Sequence, residues 1–297
     1  MAGRVNHRAR QYLTGYLFVS PWLIGFLAFT AWPFFQSIYL SFTRYNIVSS
    51  AKWVGVANYR MLLTQDELFW KSAWVTIKFA IVSVPIGVAA GIVLALLLNV
   101  NVKGIAVFRT IFYLPSIVPT VATSVLFVWI LNPNLGLVNR VLGLFGIRGP
   151  SWLNTAPWAF VSLVMMALWG VGSSMIIYLA GLKDIPITLY EAATIDGANP
   201  VQKLRHITLP MLTPVIFFNL VMGIIGAFQY FTQAYVITPT GGPQDSTYFY
   251  SLYLYNRAWK YLDMGYASAM AWMLFLVIIL LTGLVFRTQK RWVHYGG

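Results

Sequence analysis

The chain alternates long apolar runs with short polar segments. Six runs are each long enough to cross about 30 Å of hydrocarbon at about 1.5 Å of helical rise per residue. They cover approximately residues 12–42, 72–99, 106–131, 157–182, 210–237 and 264–286. The first run is too long for a secretory signal and has no small-residue cleavage site, so we expect it to be a retained span. The pattern predicts an all-α integral membrane protein with six transmembrane helices.

One polar segment, 183–209, carries helix start and stop signals of its own. Thr188 and Glu191 have the spacing of a capping box, and Gly197 is a natural helix stop. Residues 199–202 then provide a second start, with a cap, a proline and a glutamine that reaches back. The segment is therefore predicted to be a helix-turn-helix. Because both helices are too short to be stable alone, we expect the unit to dock onto something.

The same segment contains three short motifs in a fixed order. They are Glu191-Ala192-Ala193, Asp196-Gly197-Ala198 and Ile207-Thr208-Leu209-Pro210. Together they resemble the "EAA" coupling loop of permease subunits of binding-protein-dependent ABC importers, most closely the maltose-transporter large permease and its carbohydrate relatives. The resemblance implies that the loop is cytoplasmic and couples to the ATP-hydrolysing subunit through Glu191, Ala192, Ala193, Asp196 and Gly197. A capped amphipathic loop that only joins two spans is the alternative.

The resemblance also implies an architecture. It is a type I ABC importer permease in the bacterial inner membrane, with both termini cytoplasmic. Its partners would be a second homologous permease forming a heterodimer, a pair of ATP-binding subunits, an extracytoplasmic solute-binding protein, a carbohydrate substrate and membrane lipid. The chain would be no enzyme and would hold no cofactor, since the partner ATPase binds ATP and Mg. The predicted regions are a tail at 1–11, a first span and outer interfacial segment at 12–71, a permease core at 72–286 and a second tail at 287–297.

Composition and charge agree with a membrane location. The chain is 59% hydrophobic and 9% charged, and its mean hydropathy is +0.71. The net charge of +13 comes from basic residues in short loops and in acid-free tails, which is typical of the positive-inside rule. Basic and aromatic residues do not alternate along the chain in a way that would form a nucleic-acid-binding groove, so a nucleic-acid partner is not expected. The chain contains no cysteine, which excludes disulfides and thiolate metal sites.

Acidic groups are missing from the predicted spans. All seven acids lie in loops or at span edges: Asp66, Glu67, Asp184, Glu191, Asp196, Asp245 and Asp263. Lys78 and Arg109 lie within spans but near enough to an end to snorkel. The predicted spans therefore lack the residues needed for a proton relay, for an intramembrane acid pair or for a histidine metal cluster. The sequence also contains no phosphate-binding loop. We expect the energy source to be a separate chain.

A substrate pathway is suggested by polar and aromatic residues within the spans. The resemblance places sugar-contacting positions at Ser116, Met166, Trp169, Gly170, Phe228, Gln229 and Thr232. Gln233 is a further candidate, as an amide in the polar and aromatic cluster of the fifth span. Aromatic faces and amides suit a sugar, but polar side chains in spans also serve packing between helices. The Gly-Gly-Pro turn at 241–243 matches a family turn near the docking site of the solute-binding protein, and a plain tight turn explains it equally well.

The sequence thus predicts a permease subunit of an ATP-driven importer for a sugar or oligosaccharide. Two alternatives stay open here. One is a permease of the same family for sn-glycerol-3-phosphate or another polyol derivative, although no arginine sits at mid-membrane. The other is an ATP-independent facilitator or secondary carrier, for which no internal repeat is evident.

Overall fold

The structure, a computed structural model, describes residues 2–294, with side chains from residue 11 onward. The predicted tails at 1–11 and 287–297 lie partly outside the described residues. The helices are α1 (Ala2–Phe26), α2 (Trp32–Ser41), α3 (Ala57–Thr64), α4 (Glu67–Leu98), α5 (Ile105–Ile117), α6 (Thr120–Ile130), α7 (Leu137–Leu144), α8 (Ala156–Trp169), α9 (Gly172–Lys183), α10 (Ile187–Ile195), α11 (Pro200–Lys203), α12 (Leu209–Phe228), α13 (Thr232–Ile237), α14 (Tyr250–Tyr255) and α15 (Met264–Gln289). Single π-helical turns lie at Leu27–Ala31, Leu204–Thr208 and Asn256–Lys260, and a 3₁₀ turn at Pro243–Asp245.

Within the described residues, four helical stretches are long and apolar enough to cross a membrane. They are Gln11–Ser41, Glu67–Leu98, Pro200–Ile237 and Met264–Gln289. Two further pairs, α5 with α6 and α8 with α9, bring the number to six if each bent pair is one span. These six stretches overlap the six apolar runs of the sequence.

The third and fourth runs are not single helices. The axes of α5 and α6 differ by 98°, and those of α8 and α9 by 44°. The first break falls at Val118 and Pro119, whose backbones are extended. Proline has no N–H to continue a helix, and it disfavours helical geometry in the preceding residue. The second break falls at Gly170.

The polar segment at 183–209 also differs from its predicted form. Its first helix, α10, is separate, but the second is not. It continues through a π-helical turn into the fifth span, so that Pro200–Ile237 is one stretch of 38 residues. A short independent second helix was therefore the wrong expectation, because no helix-breaking residue stands between 203 and 209.

The chain forms two compact units, which we describe separately. The smaller contains residues up to Gln65 together with Tyr255–Met273. Its strands Thr43–Arg44 (β1) and Lys52–Trp53 (β2) pair antiparallel. The Asn58 amide donates hydrogen bonds to the carbonyls of Ser41 (2.8 Å) and Thr43 (2.9 Å), which holds α3 against the ribbon. The outer interfacial segment predicted within 12–71 thus contains one short helix, α3.

The larger unit, Asp66–Leu254 with Leu274 onward, is organised around α4. This helix packs against α8, α9 and α12. Gly91 permits the contact with α9, because a Cβ there would lie 2.9 Å from a ring carbon of Tyr178. Arg109 does not simply snorkel. It donates hydrogen bonds to the Leu98 carbonyl from Nε (3.2 Å) and Nη2 (2.8 Å), and so satisfies the C-terminal end of α4.

Asp263 is a half-buried carboxyl in the smaller unit, directly before α15. Burial raises its pKa, whereas a hydrogen bond from the Tyr266 backbone and the charges of Arg257 and Arg44 act in the opposite direction. A carboxyl whose folded pKa is raised stabilises the fold fully below its unfolded pKa, and this contribution is lost as the pH rises through the folded pKa.

We therefore expect Asp263→Asn to raise the melting temperature of the detergent-extracted protein at pH 7, because the amide keeps the cap without a buried charge. The advantage should vanish as the pH falls toward about 3.9, the unperturbed value for aspartate. Asp263→Ala is the control and should cost about 1 kcal/mol through the lost cap. An asparagine variant that is less stable than wild type at neutral pH would show that attraction of the Asp263 carboxylate to Arg257 and Arg44 stabilises the fold by more than its burial costs.

Candidate functional site

The turn after α10 is a Schellman motif. Gly197 has a φ of +77°, a conformation that a Cβ disfavours. The Ala198 N–H donates to the Ala193 carbonyl (2.8 Å), and the Gly197 N–H donates to the Thr194 carbonyl (3.1 Å). The predicted stop at Gly197 is therefore confirmed, and its backbone geometry satisfies the last carbonyls of α10.

The two helix starts in this loop have different outcomes. The second prediction is confirmed, since Asn199 and Gln202 form a reciprocal capping box with bonds of 2.9 and 2.7 Å. The first is wrong, because α10 begins with Pro186 at the cap position and has no side-chain cap. Thr188 already lies inside the helix, so Glu191 is free of a capping role.

Two contacts hold α10 against the chain that follows it. The Tyr190 hydroxyl hydrogen-bonds with the buried Thr208 hydroxyl at 2.9 Å, and the Lys203 ammonium donates to the Thr194 hydroxyl at 2.8 Å. Both contacts use one side of the helix. The loop is therefore fixed to the foot of the fifth span.

The other side of the loop is exposed and carries the predicted coupling residues. Glu191, Ala192, Asp196 and Gly197 are exposed, and Ala193 is half-buried. Ile187, Ile195 and Val201 add apolar surface, with exposed fractions of 69%, 87% and 70%. No residue that the structure describes forms an ion pair with Glu191. This surface offers small apolar side chains and two carboxylates, those of Glu191 and Asp196, that form no ion pair with the described residues.

A polar cavity of about 150 Å³ lies where three helical stretches are interrupted. The breaks are at 118–119, 170–171 and 229–231. Interrupted helices leave backbone groups without partners, which hydrocarbon does not tolerate unless they line a cavity or are covered by protein. The cavity is lined by Pro115, Ser116, Val118, Thr120, Thr123, Met166, Ala167, Trp169, Gly170, Ser173 and Gln233.

This cavity brings together part of the predicted pathway. Ser116, Met166, Trp169, Gly170 and Gln233 line it. Ser116 already donates to the Tyr113 carbonyl at 2.6 Å, and Trp169 packs edge-on against Phe127 at 5.5 Å between ring centroids. The remaining predicted residues have other environments: Phe228 is buried, Gln229 is exposed and Thr232 is half-buried.

A second cavity, of about 270 Å³, adjoins the same residues. Gln233 and Ala167 line both cavities. The second is also lined by Ser83, Gly87, Tyr178, Asn219, Gly223, Gly226 and Tyr230. The buried Tyr178 hydroxyl has no hydrogen-bond partner among the described residues. Sequence interpretation missed Ser83, Gly87 and Tyr178, and their only signal was small or polar character within apolar runs. No charged residue lines either cavity.

The Gly-Gly-Pro segment forms a constrained turn. Gly241 and Gly242 have φ values of +94° and +68°. The Thr247 hydroxyl donates to the Gly241 carbonyl (2.9 Å), and the Lys71 ammonium pairs with Asp245 at 2.7 Å. These contacts explain why the turn is rigid.

Among the described residues, no cluster of three or more His, Asp or Glu side chains could hold a metal ion.

Comparison with known proteins identifies relatives over nearly the whole chain. Residues 87–294 match the family "Binding-protein-dependent transport system inner membrane component". A probable ABC transporter permease, YesP of Bacillus subtilis, is 46% identical over 95% of this chain and 92% of its own. The trehalose/maltose transport permease MalF of Thermococcus litoralis is 35% identical over 92% of each chain.

Solved structures match as well. A bacterial ABC transporter that imports the acidic polysaccharide alginate aligns with a TM-score of 0.84 and 26% identity, over 97% of this chain and 99% of that chain. The alginate transporter in complex with an alginate-pentasaccharide-bound periplasmic protein aligns with a TM-score of 0.83 and 25% identity, over 96% of each chain. The predicted all-α, type I importer permease fold is thereby confirmed.

The Schellman turn leads to a prediction for Gly197. A Cβ at this position would meet no atom within 4 Å, so any cost of substitution is conformational. We expect Gly197→Val to destabilise the turn by about 1–3 kcal/mol, and hydrogen exchange over residues 187–203 should accelerate correspondingly. Gly197→Asn is the matched control, because asparagine tolerates positive φ. Equal protection in the valine variant and wild type would contradict the assignment.

Proposed function

Since the chain belongs to the family of binding-protein-dependent transport system inner membrane components, we propose that it is the transmembrane permease subunit of an ATP-driven importer. It takes up a sugar or oligosaccharide that a solute-binding protein delivers. One observation carries the proposal: an ordered, exposed helix-turn-helix at the foot of the fifth span presents an unpaired carboxylate and small side chains to a partner. ATP hydrolysis belongs to a separate chain, which binds ATP and Mg.

The continuity of the fifth span supplies the mechanical link. The stretch Pro200–Ile237 begins inside the coupling loop and ends beyond Gln233, which lines both cavities. When the ATPase pair closes on ATP, the docked loop moves and pulls on this stretch. The break at 229–231 lets its last part, α13, change direction relative to α12. Loop displacement is thus converted into a change in cavity shape.

We propose the following assembly for this chain. A second, homologous permease completes a heterodimer, a pair of ATP-binding subunits docks on the coupling loops, and the solute-binding protein docks on the opposite face. Because the ATPase binds the loop, the loop and both termini lie in the cytoplasm. The solved complex of the alginate transporter with a periplasmic protein supports a solute-binding protein as a partner.

The cavities favour an uncharged, hydroxylated substrate group. Their linings supply amides, hydroxyls and aromatic rings but no cation. A phosphorylated polyol would need a cationic contact or a helix N-terminus. The sugar substrate in the name of MalF supports the same choice. The facilitator alternative was wrong, because the family depends on binding proteins.

The first test concerns the carboxylate. We expect Glu191→Arg to abolish co-purification of the ATPase from native membranes in mild detergent, because the charge reversal opposes docking without breaking an internal ion pair. The second permease should still co-purify. Glu67→Arg, the same reversal at an exposed position in the first turn of α4, is the control and should retain the ATPase. Retention of the ATPase by the Glu191 variant would remove this residue from the interface.

The second test concerns the cavities. Gln233→Ala should raise the KM for uptake about two- to tenfold, which corresponds to about 0.5–1.5 kcal/mol for one lost hydrogen bond. Gln229→Ala should have a smaller effect, because Gln229 is exposed and lines neither cavity. ATPase co-purification should be unchanged in both variants. The reverse order of effects would favour the family-based placement of Gln229 over the cavity-based placement of Gln233.

A further inference from the structure

The short helix α7 presents an unpartnered apolar face. Leu137, Val141 and Leu144 share one side, and Phe145 follows on the same side. Leu144 and Phe145 are 84% and 77% exposed. The helix lies between the third and fourth spans, at the end of the fourth span opposite to the coupling loop. An apolar stripe of this kind needs an occupant.

The orientation of α7 is fixed by its polar side. The Asn139 amide donates hydrogen bonds to the carbonyls of Pro133 (2.9 Å) and Pro150 (3.2 Å). The Trp152 indole N–H donates to the Asn139 side-chain oxygen at 2.7 Å. Gly149 permits this packing, because a Cβ there would overlap that oxygen. The tether holds Asn139 inward and therefore turns Leu144 outward.

The tether also sets the depth of the helix in the membrane. Trp152 packs edge-on against Trp158, with 5.0 Å between centroids, at the start of the fourth span. Its carbonyl accepts a hydrogen bond from Ser162 in that span at 3.1 Å. Trp152 itself is buried, but Trp158 is 39% exposed, and exposed tryptophan is enriched at the headgroup level of bilayers. Since α7 is bonded to Trp152, which packs on Trp158, it lies near the same level.

The net positive charge of the segment that contains α7 favours an anionic surface as its partner. Residues 132–156 contain Arg140 and Arg148 and no acid. Arg140 is exposed on the flank of the apolar side. A helix with apolar side chains on one side and flanking arginines suits an anionic lipid surface.

We propose that α7 is an interfacial helix, with its apolar side in the upper acyl region of the leaflet opposite the coupling loop and its arginines among anionic phospholipid headgroups. The inference rests on the proposed permease only for the presence of a bilayer. The helix anchors the joined ends of α6 and α8, and so braces the two broken spans that line the smaller cavity. The ligand is phospholipid, not the solute-binding protein.

The chain contains no cysteine, so an introduced cysteine is the single thiol-labelling site within it. The assembled transporter, carrying Leu144→Cys labelled with bimane, is reconstituted into nanodiscs of phosphatidylcholine and phosphatidylglycerol. Quenching by a lipid nitroxide at acyl carbon 5 is compared with quenching by aqueous iodide. The control is Asn134→Cys, at an exposed polar position before α7. We expect the lipid-to-aqueous quenching ratio to be at least about twofold higher at Leu144, since interfacial helices bury their apolar side about 5–10 Å deep.

A ratio at Leu144 no higher than at Asn134 overturns the proposal, as does protection from iodide that occurs only when the solute-binding protein is added. If Leu144→Cys fails to assemble, Val141→Cys reports on the same side of the helix. Uptake by the unlabelled wild-type transporter is measured in parallel. Intact uptake with a low ratio overturns the interfacial helix alone, whereas absent uptake with a high ratio overturns the importer and leaves the helix assignment standing.

Discussion

Backbone hydrogen bonding in hydrocarbon is the constraint on which the larger unit depends. A span that stays helical satisfies its own N–H and C=O groups, and a span that breaks must lie against protein or a polar cavity. Three stretches of this chain break, at 118–119, 170–171 and 229–231, and residues beside each break line the smaller cavity. The breaks in the helices therefore create the polar cavity, and the cavity in turn accommodates the backbone groups that the breaks leave without partners. A polar site within an apolar bundle arises from where the helices stop, and the few polar side chains refine it.

The coupling loop obeys the opposite requirement, because force is transmitted best where a helix does not break. From Pro200 the helix passes through a single π-helical turn into the fifth span without a loop. Its capping box and the Schellman turn at Gly197 make the loop rigid on both sides of its one corner. Tyr190 and Thr208 fix that corner to the span. This rigid stretch ends at Phe228, directly before the break at 229–231, and so connects the proposed partner surface to the cavities more directly than two short helices would.

The spans and the loop were predictable because both rest on local chemistry. Apolar runs of sufficient length predict spans, and the properties of glycine, asparagine and proline predicted the stop at Gly197 and the cap at Asn199. The rest depends on contacts between residues far apart in sequence. Pro119 marks where α5 ends, but the 98° angle that follows has no local signal. The role of Arg109 at the end of α4 and the position of the Tyr178 hydroxyl beside a cavity have none either. The helix α7 was also missed, because it lies outside the six apolar runs and Asn, Pro and Gly dominate its flanks.

The charged groups lie away from the cavities: the cavity linings are uncharged, whereas the exposed surface of the coupling loop carries carboxylates. The cavities are lined by amides, hydroxyls, aromatic rings and small residues, and none of these changes charge near neutral pH. A proton gradient would have no group to act on there. The exposed carboxylate of Glu191 stands instead at the foot of the fifth span, near the start of the rigid stretch rather than at its end. In the mechanism that we propose, work done on the loop changes the shape of the cavity without changing its charge, and a neutral sugar is released by that change of shape.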